Sequence, residues 1–159
     1  MRFITVTKDF FELHAKDPEM LNKGDRRPHV LVVRLLYKGK NMNFAVPLRS
    51  NIPPDTPKWQ YFALPPRSTT KPGHRHGLHY TKMFPILKKH QGKFWVGKNQ
   101  SYVLYQSIMD KNEKRIVQEC QEYLDRYSAG DKPPFSVDID AVLDRNKEDS
   151  KLCCDEMQI

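Results

Sequence analysis

Long apolar runs are absent from this chain of 159 residues. No stretch approaches the roughly 20 consecutive apolar residues that a membrane-spanning helix needs, so we expect no membrane association. The N-terminal residues are too few and too polar for a secretory signal peptide, and the expected location is therefore cytoplasmic. With 38% hydrophobic and 29% charged residues, the sequence predicts a single soluble domain over residues 1–146 and a disordered tail over residues 147–159.

Cysteine is also scarce. The three cysteines form neither a disulfide framework nor a recognisable zinc spacing. The sequence lacks the glycine motif G-x-x-x-x-G-K-[ST] that cradles phosphates, the G-x-S-x-G motif of hydrolases, and an acidic cluster able to hold two magnesium ions. We therefore predict no metal and no other cofactor.

Acidic residues are missing from the middle of the chain. No aspartate or glutamate occurs between Asp55 and Asp110. The whole chain has a net charge of +8 even though its C-terminal segment is acidic. The same stretch carries nine cations: Lys58, Arg67, Lys71, Arg75, Lys82, Lys88, Lys89, Lys93 and Lys98. Clustered cations without acids attract a phosphate backbone, so the pattern predicts binding of nucleic acid. The alternative is a solvated basic face without a partner.

The hydrophobic pattern predicts a small antiparallel sheet followed by helices. The apolar segment 29–37 and the alternating segment 44–48 flank a turn at 38–41, as in a β-hairpin. Further short strands are expected around 2–7, 59–64, 80–87 and 93–96, and helices over 8–15, from 101 to about 128 in two pieces, and after Ser136. The fold class is therefore α+β, with a compact, strongly bent antiparallel sheet and flanking helices.

The outer ends of the hairpin hold the best catalytic candidates. Pairing of the two strands brings His29, at the start of one, close to Arg49 and Ser50, at the end of the other. Arginine binds oxyanions with two parallel hydrogen bonds, serine adds a neutral one, and histidine can transfer a proton near pH 7. His29, Arg49 and Ser50 are therefore predicted as catalytic residues, although a polar strand end without function is the simpler alternative.

Such groups suit RNA cleavage without a metal. RNA supplies its own nucleophile, the 2′-hydroxyl, so a side chain must remove its proton, cations must stabilise the charge on phosphorus, and another group must protonate the leaving 5′-oxygen. Cations, amides and histidines in and beside the basic stretch are predicted to bind the RNA: Arg27, Asn51, Arg67, Lys71, His74, Arg75, His76, His79 and Lys82.

The spacing His74-x-His76-x-x-His79 also resembles a metal-binding pattern. We favour contacts to phosphates or bases, because the segment lies in a loop rich in proline and glycine with no carboxylate nearby; a plain solvent loop is the other alternative. Aromatic residues interleave with the basic stretch, as expected where unpaired bases stack, although about half should belong to the core. They are Trp59, Tyr61, Phe62, Tyr80, Phe84, Phe94 and Trp95.

Five short motifs occur in an order that resembles a known family. They are Arg27-Pro28-x-Val30 before an apolar strand, Phe44 to Ser50 (FAVPLRS), Gly77-Leu78-x-x-x-Lys82-Met83-x-Pro85-Ile86, Tyr102 to Gln106 on a helix, and Pro134-Phe135-Ser136. Over residues 1–146 the chain resembles the ToxN/AbiQ toxins of type III toxin–antitoxin systems, and in particular their TenpN branch.

The resemblance implies a sequence-specific endoribonuclease with a Kid/MazF-like, SH3-like barrel. It implies cleavage to a 2′,3′-cyclic phosphate and a 5′-hydroxyl, a repeat RNA antitoxin that the toxin processes and binds in an RNA–protein assembly, and a role in phage defence or growth inhibition. Ser50 matches the position of the family's catalytic serine. Tyr102 falls near the position of a helical aromatic that contacts RNA in the family, and the resemblance therefore implies that Tyr102 binds RNA. His29 and Arg49 depart from the lysine and threonine common in relatives. A non-catalytic RNA-binding module and a MazF-like toxin with a protein antitoxin are the alternatives.

Overall fold

The computed structural model of this protein describes residues 1–20 and 29–156. In these ranges the strands are β1 (Arg2–Val6), β2 (His29–Tyr37), β3 (Lys40–Ile52), β4 (Tyr61–Leu64), β5 (Arg75–His79), β6 (Phe84–Pro85) and β7 (Gln91–Lys93). The α-helices are α1 (Lys8–Leu13), α2 (Gln100–Lys111), α3 (Glu113–Ser128) and α4 (Ile139–Glu156). The prediction of an α+β fold with a curled antiparallel sheet is confirmed.

The long strand β3 organises the sheet. The strand order is β4-β5-β3-β2-β1-β7, with β6 also paired to β3, and every pairing is antiparallel. β3 pairs with β2 along its first part and with β5 near its end, and the register of each pairing shifts once. Such irregularities increase the local twist and bend a strand, which suits the curvature of this sheet.

The predicted hairpin forms between β2 and β3. Tyr37 lies opposite Lys40, and the two turn residues, Lys38 and Gly39, have φ angles of 49° and 77°. Positive φ at both central residues matches the right-handed twist of the strands that they connect. The turn therefore fixes the start of β3 and, with it, the path to the residues at its far end.

Both faces of the sheet are covered by core residues. Successive β3 side chains point to opposite faces, so β3 contributes to both cores. Phe44, Val46 and Leu48 belong to a core that includes buried residues of α2 and α3. Ala45 lies in a second core with α1, β1, β6 and α4. The sheet is thus held between two helical layers.

The helices follow the sequence pattern in most places. Thr7 caps α1 by accepting a hydrogen bond from the amide of Phe10, Asn112 separates α2 from α3, and Gly130 follows α3 with a φ of 98°. No helix in the described ranges is both long enough and apolar enough to cross a membrane.

Helix α4 differs from the prediction. Residues 147–156 were expected to belong to a disordered tail, but they continue the helix that begins at Ile139. Asn146 is buried, bonded to the ring of His14 and to the carbonyl of Pro85, and Asp149 pairs with Lys89. These contacts to distant residues stabilise a helix that its own polar sequence does not indicate. Asp138, rather than Ser136, caps its first turn.

Candidate active site

The end of β3 carries a β-bulge. Arg49 lies opposite Gly77 and Ile52 opposite Arg75, so β3 has one residue more than β5 between these pairs. Ser50 and Asn51 occupy this irregular segment and are both partly exposed. Bulges re-aim side chains and often lie next to active sites. The predicted residues Arg49, Ser50 and Asn51 therefore lie together at this bulge.

Arg49 contacts an imidazole, and that imidazole is His79. Because Gly77 is opposite Arg49 on β5, His79 is two residues along on the same face. The Arg49 Nη1 atom lies 3.3 Å from Nδ1 of His79. The other ring nitrogen, Nε2, lies 3.0 Å from the hydroxyl oxygen of Thr81. Since arginine can only donate, Nδ1 accepts and Nε2 carries the proton that is donated to Thr81.

The protonation of His79 follows from its position. Burial lowers the pKa of His79 to about 3, and the positive charges of Arg49 and Lys82 act in the same direction. His79 is therefore neutral near pH 7, as its hydrogen bonds require. It holds the guanidinium of Arg49 in place as a neutral acceptor. Burial also lowers the pKa of Arg49, and the carboxylate of Glu19 opposes this effect.

This arrangement predicts loss of stability in acid. A histidine whose folded pKa is about 3 stabilises the fold fully above its unfolded pKa of roughly 6.5, and this contribution disappears as the pH falls toward 3. At pH 5 the loss from His79 is about 2 kcal/mol. We expect the free energy of unfolding in urea to fall between pH 7.5 and pH 5, and to fall less in His79→Asn. An equal decrease in both proteins would contradict this assignment.

Lys82 does not face solvent as an RNA-binding cation would. Its side chain is buried, pairs with the carboxylate of Glu19 and donates to the carbonyl of Phe135 at 2.6 Å. The contact joins the segment after α1, the short helix Tyr80–Lys82 and the segment before α4. Lys82 is therefore already satisfied by protein groups, and its charge acts on the neighbouring imidazole of His79.

The prediction for His29 is not supported by its position. His29 lies opposite Pro47, because the irregularity between Val32 and Leu35 shifts the register of the hairpin. Its side chain is 1% exposed and packs near Phe11 and Phe84. His29 is thus enclosed beside aromatic residues of the second core, on the opposite face of the sheet from Leu48. The imidazole at the end of β3 is His79.

The loop between β4 and β5 folds over the bulge. Asn51 accepts a hydrogen bond from the amide of Lys71 at 2.8 Å and donates to the carbonyl of Thr69 at 3.4 Å. Lys71 and Arg75 are exposed. The amide of Asn51 therefore fixes this loop, which brings Lys71 and Arg75 to the bulge that also holds the partly exposed Ser50.

Arg67 and Tyr102 extend this basic surface towards α2. The guanidinium carbon of Arg67 lies 5.4 Å from the centre of the Tyr102 ring, and Nη1 of Arg67 lies 3.4 Å from the phenolic oxygen. Both side chains are half-buried. Two residues predicted independently to bind RNA are thus in contact. Arg27, the remaining predicted RNA-binding residue, lies outside the described residues.

The three histidines of the loop do not converge. His76 and His79 lie on opposite faces of β5: the ring of His76 bonds to the carbonyl of Pro65 at 3.0 Å and packs against Tyr105, whereas His79 faces Arg49. His74 is near the carbonyl of Pro72. Within residues 1–20 and 29–156, no three histidine, cysteine or acidic side chains are grouped to hold a metal ion.

Sequence reasoning missed Glu19 and Thr81. The sequence stretch without acids suggested unpaired cations, but folding brings in acids from elsewhere. In the described part of the chain two of the nine cations form ion pairs, Lys82 with Glu19 and Lys89 with Asp149. Thr81 could have been noticed because it follows His79 by two residues; Glu19 gave no signal.

Three solved structures share this fold. One comes from a bacterial antiviral system regulated by a processed non-coding RNA, with a TM-score of 0.66, 16% identity, and coverage of 93% of this chain and 98% of that one. Another comes from work on bacterial type III toxin–antitoxin systems, in which a non-coding RNA pseudoknot selectively inhibits the toxin; its TM-score is 0.69, with 17% identity and coverage of 93% and 96%. The chain thus has the fold of type III toxins.

A third structure is that of AbiQ, a lactococcal anti-phage endoribonuclease of the type III toxin–antitoxin system. Its TM-score is 0.65, with 19% identity, and the match covers 94% of this chain and 98% of AbiQ. No protein-family model and no curated protein matches the sequence. The resemblance indicated by the five motifs is therefore confirmed at the level of the fold.

Proposed function

We propose that this protein is an endoribonuclease toxin of a type III toxin–antitoxin system, with RNA as both its substrate and its antitoxin, acting against phage or restricting growth. The observation that carries the proposal is the Arg49–His79 pair beside the partly exposed Ser50, within a fold shared with AbiQ over nearly the whole chain. A guanidinium held at a fixed angle next to a hydroxyl is suited to bind a phosphodiester.

In the proposed reaction, the 2′-hydroxyl gives its proton to water as its oxygen attacks the adjacent phosphorus, and the bond to the 5′-oxygen breaks as that oxygen takes a proton from water. The products are a 2′,3′-cyclic phosphate and a 5′-hydroxyl. Arg49 binds the non-bridging oxygens, where negative charge develops, and Ser50 donates a hydrogen bond to the same phosphate. His79 positions Arg49. The scheme uses side chains and water and includes no metal.

The exposed cations around the bulge are proposed to bind the rest of the RNA. Lys71 and Arg75 flank the bulge, and Arg67 with Tyr102 extends the surface towards α2. Phosphate contacts of this kind position a strand without reading its sequence, and their strength falls with salt. The RNA antitoxin is proposed to occupy the same surface, which explains how it would inhibit the enzyme.

A cleavage assay in EDTA tests the proposed reaction. We expect purified protein to cut single-stranded RNA in excess EDTA and to leave DNA of the same sequence intact, because DNA lacks the 2′-hydroxyl. Treatment of the 3′ ends with acid or with a cyclic phosphodiesterase identifies the cyclic phosphate. Intact RNA, or cleavage that occurs only with added magnesium, would overturn the proposal. RNA binding without cleavage would favour a non-catalytic RNA-binding module.

A further inference from the structure

The aromatic residues of the basic stretch fall into two groups. Phe62, Tyr80 and Phe84 are buried in the cores, and Trp59, Tyr61 and Phe94 are partly buried. Trp95 is different, because 89% of its surface is exposed. A tryptophan is the largest apolar side chain, and its exposure leaves a flat, polarisable surface in water that packing does not explain.

The surroundings of Trp95 are positively charged. Lys93 and Lys98 flank it in sequence and are exposed, and neither forms an ion pair with an acidic residue of the described chain. The indole lies next to Gly97, where a Cβ atom would come within 3.8 Å of the ring. Gly97 therefore lies against one part of the indole, and the rest of the ring, which accounts for its 89% exposure, is available to a flat ligand.

Trp95 is also connected to the proposed RNA surface. Its neighbour Phe94 packs against Tyr102 with ring centres 5.2 Å apart, and Tyr102 carries the guanidinium of Arg67. A strand bound along the cations near Ser50 and over Arg67 would thus continue towards Lys98 and Trp95. The aromatic contacts fix the backbone at Phe94, so the exposed indole is presented from a rigid support.

We propose that Trp95 is a stacking platform for an unpaired base of the bound RNA, with Lys93 and Lys98 contacting the phosphates on either side. This subsite rests on the proposed function and extends it beyond the cleavage site. Stacking on an aromatic ring accepts every base, so the subsite would increase affinity for single-stranded RNA without selecting a sequence. Duplex RNA, whose bases are already stacked, should gain nothing from it.

Fluorescence provides a direct test, because Trp59 and Trp95 are the two tryptophans of the chain. In Trp59→Phe, Trp95 is the sole tryptophan reporter. The probe is a mixed-sequence single-stranded RNA of twelve nucleotides with 2′-O-methyl groups throughout, which prevents cleavage. We expect this RNA to quench the emission and to protect the indole from iodide. Quenching by vesicles of anionic phospholipid but not by RNA would overturn the proposal.

Affinity measurements give the second test. With the same RNA, Trp95→Ala should bind about tenfold or more weakly, as expected for loss of one stacked base, whereas Trp95→Phe should retain most of the affinity and Trp59→Phe should equal the wild type. Circular dichroism confirms that each variant is folded.

Equal binding by Trp95→Ala and wild type would overturn the stacking platform and leave the nuclease proposal intact. Failure to cut RNA in EDTA, with Trp95-dependent binding preserved, would overturn only the nuclease proposal.

Discussion

Replacing Arg49 with alanine is expected to reduce the rate of RNA cleavage by about two to three orders of magnitude, which is typical for loss of a donor to developing negative charge. The guanidinium is the only group of Arg49 that can bind the phosphate, and His79 fixes its direction through the 3.3 Å contact. Arg49→Lys should recover little activity, because an ammonium cannot form two parallel hydrogen bonds. Single-turnover cleavage of a labelled RNA measures the effect.

The control for Arg49 is Arg126→Ala. Arg126 lies on α3 over the ring of Trp59, so this variant removes the same charge from another part of the molecule. It should cleave at close to the wild-type rate. If both variants lose activity equally, overall charge rather than the geometry at the bulge determines the rate. If Arg49→Ala cleaves like the wild type, the placement of the active site at the end of β3 is wrong.

Gly77→Ala is expected to have the largest effect on stability, about 3 kcal/mol or more, beyond the usual cost of overpacking. A Cβ atom on Gly77 would lie 2.0 Å from the backbone oxygen of Phe62 and 3.1 Å from the Cα of Ala63. Because these are backbone atoms of β4, no side-chain rotation relieves the clash, and β4 must move away from β5. Urea unfolding followed by circular dichroism measures the change.

Gly92→Ala is the matched comparison for Gly77→Ala. A Cβ atom on Gly92 would also be too close to a neighbour, but that neighbour is the hydroxyl of Thr5, at 2.3 Å. The threonine side chain can rotate, so the cost should be clearly smaller. Similar losses in the two variants would show that the contact between β4 and β5 is not what requires a glycine at position 77.

The sequence allowed much of the scaffold to be predicted. Alternation, an apolar segment and a turn rich in lysine and glycine predicted the β2–β3 hairpin, and the change of hydrophobic period predicted two helices from residue 101 to about 128. These signals are local, so they survive folding. The extent of α4 was not predictable in this way, because Asn146 and Asp149 find partners in residues 14, 85 and 89.

The positions of the candidate site residues were predicted in part. Arg49, Ser50 and Asn51 lie together because they are consecutive at the end of one strand. His29 is not the imidazole that contacts Arg49, since one additional residue in β2 between Val32 and Leu35 places His29 opposite Pro47. A bulge of one residue leaves no reliable trace in the sequence, yet it changes which residues meet across a hairpin. His79 reaches Arg49 through the pairing of β3 with β5, a contact between distant segments.

The extended C-terminal helix has a practical consequence for anyone preparing this protein. A version shortened at the boundary suggested by composition would end at residue 146, one residue after Arg145, which contacts the ring of His14 at 3.3 Å. It would keep the buried Asn146 but lose the turn beyond it and the carboxylate at 149 that meets Lys89. Protein prepared for purification or crystallisation should therefore include every residue through Glu156, the end of α4.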